Sequence, residues 1–500
     1  MPRTTIGETN NVYAQDGIAA MTTRFPDTMT FTGWDAPARI EADVYDLEVY
    51  GEIPKEINGT WYRCGPDPQY PPFLGDDIYI NGDGMVTMFR FENGHVDLKQ
   101  RYVRTERFLA ERKARRSLFG LYRNVYTDAP EAKGLGRGTA NTTTVFHGGR
   151  LFALKEDSLP MELDPDTLET RGEWTWGGKL KSKTVSAHPK IDPETGELLF
   201  YGYEASGDGS TDIAFCVANK EGELVREEWF QSPYPAMVHD FAITRDHVIF
   251  PIFPTLVDMD RLKAGGLHWM SDLSKDTYVG VMPRSGTVAD IKWFRRPGGH
   301  AYHVINAFDE GDGRVCLDLA LSEINPFPYV PDVSGAPYDP MKAASVSTRW
   351  TMDMSRNDDT LDERPLGPVP GDVPRVDDRR VGLPYRYGYM GQVDPFRPMV
   401  KAGPVGAGFN QIGQLDVQTG QNNAWFGADT DGFEEPQFIP TGPNEDDGYV
   451  VAVIERHDRN TSDIGIWDAK RFADGPVAYA RVPFRLRLAF HGCWVPAGAR

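Results

Sequence analysis

Ten histidines occur in the sequence, and four of them have apolar or strand-like flanks. These four are His188, His239, His303 and His491. A radial β fold can direct one side chain from each of several strands toward its axis, so four such histidines could share one metal ion. Neutral imidazole suits iron, zinc, copper and nickel. Catalytic zinc usually takes three protein ligands and structural zinc prefers thiolates, so four imidazoles without a cysteine favour iron.

Two other interpretations compete with this metal site. A single buried histidine is more often a hydrogen-bonded core residue than a ligand. His95 and Asp97 also form an H-x-D pair, the core of a different iron motif. Such a pair arises by chance in a protein with 73 acidic residues. His95, His147 and His247 all sit in predicted hairpin turns, where we expect them to face solvent.

Short strands are the elements that must position these histidines. Most of the sequence consists of apolar β-rich runs of four to eight residues, each closed by turn-forming residues. One turn phrase, Asp-x-x-Thr-Leu/Gly-Glu/Gln, recurs at Asp164–Glu169, Asp192–Glu197 and Asp416–Gln421. Repetition at hairpin turns favours a repeated β unit, and blades of ~40–50 residues would make a propeller of about six to eight blades. Two β-sandwiches are the alternative.

Helical signals are sparse. The best predicts a helix over Glu106–Leu118, with an acid near its start, basic residues near its end and Gly120 as a stop. Two proline-rich stretches, Asn325–Pro340 and Pro365–Pro374, predict irregular connections. In a propeller, such connections would build a cap over one face, where functional sites usually lie.

Composition and charge exclude several classes of protein. The 51 glycines and 38 prolines have no collagen period and leave little room for a helical bundle. A formal charge of −20 argues against nucleic-acid and anionic lipid partners. No apolar run approaches the ~18 residues of a membrane span. The N-terminus has no secretory signal, and the four cysteines form no CxxC pair, so we expect reduced thiols and a cytoplasmic protein.

The sequence resembles the carotenoid cleavage oxygenases, and more narrowly their lignostilbene dioxygenase and isoeugenol-cleaving branch. The resemblance covers nearly all of its length, from Leu47 to Gly492. Four motifs match the iron-ligand motifs of that family, namely A-H-P-K at 187–190, H-D-F-A-I-T at 239–244, H-V-I-N-A-F at 303–308 and F-H-G at 490–492. They contain the same four histidines that the flanking residues single out.

The resemblance implies an all-β fold, a seven-bladed β-propeller with a loop and α-helical cap over an axial Fe(II) held by these four histidines. It implies one catalytic domain spanning 1–500, with an N-terminal extension over 1–40 and cap segments near 105–135 and 325–375. The family also holds three of the ligand rings with carboxylates. The matching residues are Glu156, Asp372 and Glu435. Asp372 departs from the usual Glu, so we expect a water bridge or a shifted strand there.

Within the branch, two polar residues grip a substrate phenol, and the matching positions are Tyr122 and Lys155. A buried lysine has a lowered pKa and can act as a base or stabilise an anion. A tyrosine hydroxyl can donate a second hydrogen bond to the same oxygen. The aromatic wall residue of the family aligns to Ile80, beside Tyr79, and we assign both to substrate binding. The aliphatic Ile80 would loosen ring stacking.

These features predict an Fe(II) enzyme with O2 as co-substrate. It would cleave the C=C double bond in the side chain of a 4-hydroxyphenyl alkene to give aromatic aldehydes. The candidate substrates are stilbenoids such as lignostilbene or resveratrol, and phenylpropenes such as isoeugenol or 4-vinylguaiacol. The alternatives are an apocarotenoid oxygenase, which the charged segment 106–116 disfavours, and a non-enzymatic propeller scaffold. We expect no nucleic-acid partner and no membrane insertion. A homodimer is left open.

Overall fold

The recurring turn phrase closes its hairpin in the same way at all three positions. The N–H of the first aspartate donates to the carbonyl of the residue five positions later, at 2.8 Å for Asp164 and 2.9 Å for Asp192 and Asp416. Each aspartate carboxylate also accepts hydrogen bonds from the backbone N–H groups two and three residues later. This local satisfaction of backbone donors is the physical reason for the repeated sequence.

The computed structural model describes residues 23–400, 402–403 and 406–499, and within them seven antiparallel sheets form the blades of a propeller. Residues 1–22 of the predicted N-terminal extension lie outside the described residues. The strands of blade 1 are, in sheet order, Ala42–Val44, His95–Tyr102, Gly84–Glu92, Gly59–Pro66 and His491–Pro496. Those of blade 2 are Thr143–His147, Arg150–Leu154, Met161–Leu163 and Thr170–Glu173. Those of blade 3 are Lys190–Ile191, Leu198–Tyr203, Asp212–Ala218 and Leu224–Gln231.

The other four blades continue round the ring. Blade 4 consists of Ala242–Ile243, His247–Ile252, Asp276–Pro283 and Lys292–Pro297. Blade 5 consists of Val304–Gly311, Arg314–Leu321, Val346–Asp353 and Leu361–Arg375. Blade 6 consists of the end of that last strand with Tyr387–Gln392, Gln411–Asp416 and Asn422–Trp425. Blade 7 consists of Asp431–Phe433, Gln437–Pro440, Gly448–Arg456, Thr461–Asp468, Ala478–Val482 and Glu48–Gly51. Two short hairpins are separate, Thr255–Leu256 with Met270–Ser271 and Ala402–Gly403 with Gly406–Ala407.

Apolar side chains fill each interface between neighbouring blades. Every pair of neighbouring blades shares one cluster of buried hydrophobic residues, so the core is a ring rather than a single centre. Blades 3 and 4, for example, meet through Tyr201 and Phe250, and blades 7 and 1 through Ile464 and Trp61. Full burial of such a side chain contributes about 1.5–3 kcal/mol. The axis is thereby left available for polar groups.

Both ends of the polypeptide close the ring. The strand Glu48–Gly51 pairs with Ala478–Val482 at the edge of blade 7, while His491–Pro496 pairs with Gly59–Pro66 in blade 1. A buried ion pair between Arg63 of blade 1 and Glu434 of blade 7 crosses the same seam. Closure removes the exposed sheet edges that an open array of strands would leave.

The principal helix is shorter than the sequence predicts. It spans Glu106–Ala114, and the Thr105 hydroxyl caps it by accepting from the N–H of Phe108 at 3.1 Å. The predicted end at Leu118 is wrong, because Arg115 takes a left-handed conformation at φ 56°. The Glu111 carboxylate then accepts from the N–H of Leu118 at 2.8 Å, which holds that residue outside the helix. The remaining helices are Met259–Lys263 and Pro340–Ala343, with 3-10 turns at Met29–Phe31, Gly33–Asp35, Tyr79–Asn81, Val125–Thr127, Pro130–Ala132, Val288–Asp290, Asp378–Arg380 and Ala469–Asp474.

The sequence predicts an irregular connection over Pro365–Pro374, and this prediction is wrong. The stretch lies within the continuous strand Leu361–Arg375, which leaves blade 5 and enters blade 6. Residues 361–370 of this strand pair only with blade 5 and residues 371–375 only with blade 6, and proline, which lacks an N–H but keeps its carbonyl acceptor, is tolerated where a strand pairs on one side. Segments 105–135 and 325–375 both supply residues to the cavity at the axis. That they form a cap stays a prediction.

None of the helices in the described part of the protein is long and apolar enough to cross a lipid bilayer.

Gly492 provides a test of the ring closure. A Cβ atom at this position would lie 2.0 Å from the carbonyl oxygen of Tyr62 on the paired strand. We therefore expect Gly492→Ala to destabilise the fold by about 2 kcal/mol or more, as overpacking does, and to lower the midpoint of thermal unfolding. Gly388→Ala is the matched control, because its Cβ would meet only side-chain atoms at 3.4 Å or beyond. Equal midpoints for the two variants would contradict this account of the seam.

Candidate functional site

The four histidines converge at the axis of the propeller. His188, His239 and His303 lie one to three residues before the first strands of blades 3, 4 and 5, and His491 is the first residue of its strand in blade 1. One ligand nitrogen from each ring lies within 4.8 Å of the others. The two closest Nε2 pairs are 3.0 Å apart, between His188 and His239, and 3.2 Å apart, between His303 and His491.

Carboxylates from the other three blades hold three of these rings from behind. Nδ1 of His239 lies 2.6 Å from Glu156, that of His303 lies 2.7 Å from Asp372, and that of His491 lies 2.7 Å from Glu435. His188 has no carboxylate partner within the residues that the structure describes. An acceptor at Nδ1 fixes the tautomer and turns the lone pair of Nε2 toward the axis.

Ionisation of these carboxylates depends on what faces them. Burial alone would raise the pKa of Glu156, but the contact with His239 brings that pKa below its ordinary value. Burial raises the pKa of Glu435 to about 7. A cation among the imidazoles would favour the ionised form of all three carboxylates, because opposite charges attract across the rings.

The chemistry of this donor set fits a divalent metal ion. With Asp372 and Glu435 ionised, as a cation between the rings would favour, His303 and His491 donate from Nδ1, and their Nε2 atoms, 3.2 Å apart, both carry lone pairs. Two lone pairs cannot form a hydrogen bond, and their repulsion is relieved when a cation accepts both. Four imidazole nitrogens without a thiolate suit iron, copper or nickel, as well as zinc.

The departure at Asp372 is accommodated by the backbone. The strand has a β-bulge between Asp372 and Arg375, and Val373 is left-handed at φ 50°. The Asp372 carboxylate contacts Nδ1 of His303 directly at 2.7 Å, without a bridging water; a shift of this strand relative to relatives that carry Glu stays a prediction. A valine in this conformation is costly and persists only where its surroundings hold it.

A cavity of about 530 Å³ opens beside the histidines. Its walls are mainly apolar and aromatic, and they include Leu121, Trp269, Phe409, Phe433, Leu488 and Phe490. Among these four histidines, five of the six possible pairs of rings are in contact. The sixth pair is His239 and His491, so these two rings lie at opposite corners of the cluster. The lining of the cavity includes both His239 with Glu156 and His491 with Phe490.

Tyr122 and Lys155 both line this cavity, as does Glu156. The Lys155 ammonium donates to the carbonyl of Ile80 at 2.9 Å and to the Asn141 side-chain oxygen at 3.4 Å, and it lies 4.7 Å from the centre of the Tyr122 ring. Burial lowers the pKa of Lys155, because removal from water disfavours the charged amine. Burial also raises the pKa of the Tyr122 hydroxyl, which keeps it a hydrogen-bond donor.

The two residues assigned to the aromatic wall lie in different places. Ile80 lines the cavity, whereas Tyr79 is buried behind the wall, where its hydroxyl donates to the carbonyl of Leu488 at 2.9 Å. Sequence reasoning missed a stack of rings formed by Tyr302, Phe327 and Tyr329, with centroids 4.1 Å and 5.1 Å apart. The position of Tyr302 immediately before His303 was the one available signal.

The remaining histidines do not form a second site of the expected kind. His95 is exposed and bonds to Asp46 at 2.8 Å, so the H-x-D pair forms no metal cluster in the described residues. The prediction that His147 faces solvent is wrong, because its ring is buried and contacts the carbonyl of Gly196 at 3.0 Å. The sequence of this turn does not show whether it packs on the neighbouring blade or projects into solvent.

Asp372 provides a test of the carboxylate support. Asp372→Ala leaves Nδ1 of His303 without its acceptor, so we expect metal affinity to fall about 10- to 100-fold. Competition with a chromophoric chelator measures this directly. His95→Ala is the control and should bind metal as the unchanged protein does. If metal affinity falls in His95→Ala but not in Asp372→Ala, the metal site is the H-x-D pair and not the four histidines.

Known proteins share this architecture. Residues 35–496 match the family described as retinal pigment epithelial membrane protein. Isoeugenol monooxygenase of Pseudomonas nitroreducens is 46% identical over 464 residues, which cover 92% of this chain and 96% of the relative. The crystal structure of Pseudomonas brassicacearum lignostilbene dioxygenase superposes with a TM-score of 0.91 at 44% identity, covering 95% of this chain and 100% of that one. Cobalt-substituted Synechocystis apocarotenoid oxygenase gives a TM-score of 0.79 at 27% identity, covering 92% and 97%. The chain therefore belongs to the retinal pigment epithelial membrane protein family, the carotenoid cleavage oxygenases, and has the seven-bladed propeller and metal site of that family.

Proposed function

We propose that this protein is an Fe(II)-dependent oxygenase that cleaves the alkene double bond conjugated to a 4-hydroxyphenyl ring. The observation that carries the proposal is the shared cavity. Its walls include Lys155 and Tyr122 together with three of the four histidines, His239, His303 and His491. A substrate whose phenol oxygen reaches the first pair would present its conjugated double bond to the metal centre.

His188, His239, His303 and His491 would hold the iron, with Glu156, Asp372 and Glu435 behind three of them. Iron is favoured over zinc by the four-imidazole donor set, and the cobalt-substituted relative is consistent with a divalent ion in this position. When bound, the iron supplies the site at which O2 is activated. The carboxylates keep three imidazole rings in the ligating tautomer.

Lys155 and Tyr122 would act on the phenol oxygen. Two of the three donor positions of the Lys155 ammonium are used by Ile80 and Asn141, which leaves the third for substrate. With its pKa lowered by burial, the amine can accept the phenol proton. The Tyr122 hydroxyl donates to the resulting phenolate. Electron density then passes through the ring into the conjugated double bond and makes it more reactive toward oxygen.

The overall reaction needs no reductant. One alkene and one O2 give two carbonyl compounds, since the two carbons of the broken C=C bond each end in a C=O bond. The apolar walls of the cavity exclude water from the reacting carbons. The stack of Tyr302, Phe327 and Tyr329 offers ring contacts to the substrate that Ile80 cannot make.

Stilbenoids such as lignostilbene or resveratrol and phenylpropenes such as isoeugenol or 4-vinylguaiacol both meet these requirements. Relatives of this protein include an isoeugenol monooxygenase and a lignostilbene dioxygenase. The apolar side chains of Phe409, Phe433 and Phe490, which line the same cavity, would contact a second aromatic ring or a short alkyl group. A phenol on a conjugated alkene is the feature that these substrates share.

The two other functions fit the site less well. An apocarotenoid lacks the phenol that Lys155 and Tyr122 would bind, and the helix Glu106–Ala114 carries charged Arg112 and Lys113. A metal-free scaffold leaves the facing lone pairs of His303 and His491 unexplained. The iron content of the purified protein separates the scaffold from both enzymes.

We also propose a cytoplasmic location, which the four unpaired cysteines support, since reduced thiols are usual there. The absence of a nucleic-acid partner and the homodimer left open by the sequence stay predictions, as does a single domain spanning 1–500.

The decisive assay compares substrates that differ only at the phenol. Iron-loaded protein is incubated in air with 4-hydroxystilbene, 4-methoxystilbene, isoeugenol and an apocarotenal, and the aldehydes are quantified. We expect the methoxy compound to react at least about 100-fold more slowly, because general base and hydrogen-bond contributions are typically 10²–10⁴-fold. The apocarotenal should give no product. Equal rates for the hydroxy and methoxy compounds would contradict the roles of Lys155 and Tyr122.

Two variants test whether Lys155 and Tyr122 cause the preference for the hydroxy substrate. Lys155→Met keeps the length of the side chain without its amine, and Tyr122→Phe removes only a hydroxyl. Both should lower kcat/KM for 4-hydroxystilbene about 100-fold or more, with the iron content unchanged. Neither should change the slow rate with 4-methoxystilbene, which serves as the internal control. Iron loss in both variants would instead indicate a structural role.

A further inference from the structure

A buried polar cluster adjoins Tyr122 and consists of Arg123, Glu204 and His268, of which His268 also lines the cavity. All three side chains are almost fully buried, with residue exposures of 6%, 2% and 2%. The Arg123 guanidinium forms an ion pair with Glu204 and donates to the Tyr203 hydroxyl at 2.9 Å. Buried charges of this kind are retained only where they are paired, so the geometry of the cluster is strongly determined.

His268 connects this ion pair to the main chain. Its Nδ1 lies 2.8 Å from the carbonyl oxygen of Arg123, and its Nε2 lies 3.1 Å from the Glu204 carboxylate. A carbonyl oxygen can only accept, so Nδ1 must carry the proton that forms the first bond. With both ring nitrogens protonated, His268 donates to the Arg123 carbonyl and to the Glu204 carboxylate, and so anchors both the backbone and the side-chain partner of Arg123.

The cluster does not form a second metal site. Glu204, Asp208 and His268 have ligand atoms close enough to hold an ion. The Arg123 guanidinium, however, already occupies that space, since it pairs with Glu204 and lies 4.0 Å from Asp208. A metal cation would have to displace a buried cation that is better matched to the carboxylate.

The backbone on both sides of Tyr122 is fixed by hydrogen bonds. On one side, the N–H of Leu121 donates to the Thr127 hydroxyl at 2.9 Å, and its carbonyl accepts from Arg137 at 2.6 Å. On the other side, Arg123 is left-handed at φ 51° and its carbonyl is held by His268. The Tyr122 hydroxyl itself has no hydrogen-bond partner within the residues that the structure describes.

We propose that His268 is a positioning residue for Tyr122. By holding the Arg123 carbonyl, it maintains the left-handed turn that directs the Arg123 side chain toward Glu204 and the Tyr122 hydroxyl toward the cavity. This inference rests on the proposed function, in which that hydroxyl donates to the substrate phenol. A group that must stay within a fraction of an ångström of its target needs such a support, because a displacement of 1 Å can cost about 100-fold in rate.

Two amide substitutions separate the two bonds of His268. Asparagine carries its amide nitrogen near the position of Nδ1, so His268→Asn can still donate to the Arg123 carbonyl. Glutamine carries it near the position of Nε2, so His268→Gln can bond to Glu204 but not to that carbonyl. His147→Gln is the matched control, because His147 is buried and contacts a carbonyl in blade 3. Each protein is iron-loaded, its iron content and unfolding midpoint are measured, and kcat and KM are determined with 4-hydroxystilbene and 4-methoxystilbene.

We expect His268→Gln to lower kcat/KM for the hydroxy compound about tenfold or more, without a change for the methoxy compound or in iron content. His268→Asn and His147→Gln should keep most of the discrimination between the two substrates. Unchanged discrimination in His268→Gln, or an equal loss with both substrates, would overturn the inference. If His268→Gln does not fold, Thr127→Val gives the same test from the other side of Tyr122. Failure of the unaltered protein to discriminate would overturn the proposed function instead.

Discussion

The mutual repulsion of facing imidazole lone pairs is the constraint on which this structure depends. Nε2 of His303 and of His491 face each other at 3.2 Å while each Nδ1 is committed to a carboxylate. Such an arrangement is unfavourable in isolation and becomes favourable around a cation. Every blade contributes to it, because four blades supply the rings and the other three supply Glu156, Asp372 and Glu435. A metal ion bound among these rings would stabilise the fold, because it would bind the folded protein and not the unfolded one.

The seam that closes the ring also holds part of the site. His491 is the first residue of the strand that completes blade 1, and the N–H of the next residue, Gly492, donates to Glu435 of blade 7 at 3.1 Å. The Arg63–Glu434 ion pair crosses the same seam. A displacement of this strand would therefore move a ligand, its carboxylate support and a wall of the cavity together. Such coupling explains why a rigid propeller suits a site that needs four distant segments.

Much of this arrangement follows from local sequence, and the rest depends on tertiary geometry. The recurring aspartate turns and the histidine quartet were predictable, because each depends on a few neighbouring residues. The strand through Pro365–Pro374 was not predictable. It tolerates proline because each part of it pairs with a neighbouring strand on one side only, which depends on the tertiary arrangement. The bulge that lets Asp372 reach His303 involves a left-handed Val373 that no propensity favours. The support of Tyr122 joins residues 123, 204 and 268, which have no relation in sequence.

The most direct test of the account is X-ray absorption spectroscopy of the iron-loaded protein. The account predicts a first shell that contains four imidazole nitrogens, with the multiple-scattering pattern of histidine rings and no sulfur. Replacement of His188, His239, His303 or His491 by alanine should remove one imidazole from that shell or abolish iron binding. A shell with two or fewer imidazoles, or one that is unchanged in all four variants, would contradict the central claim.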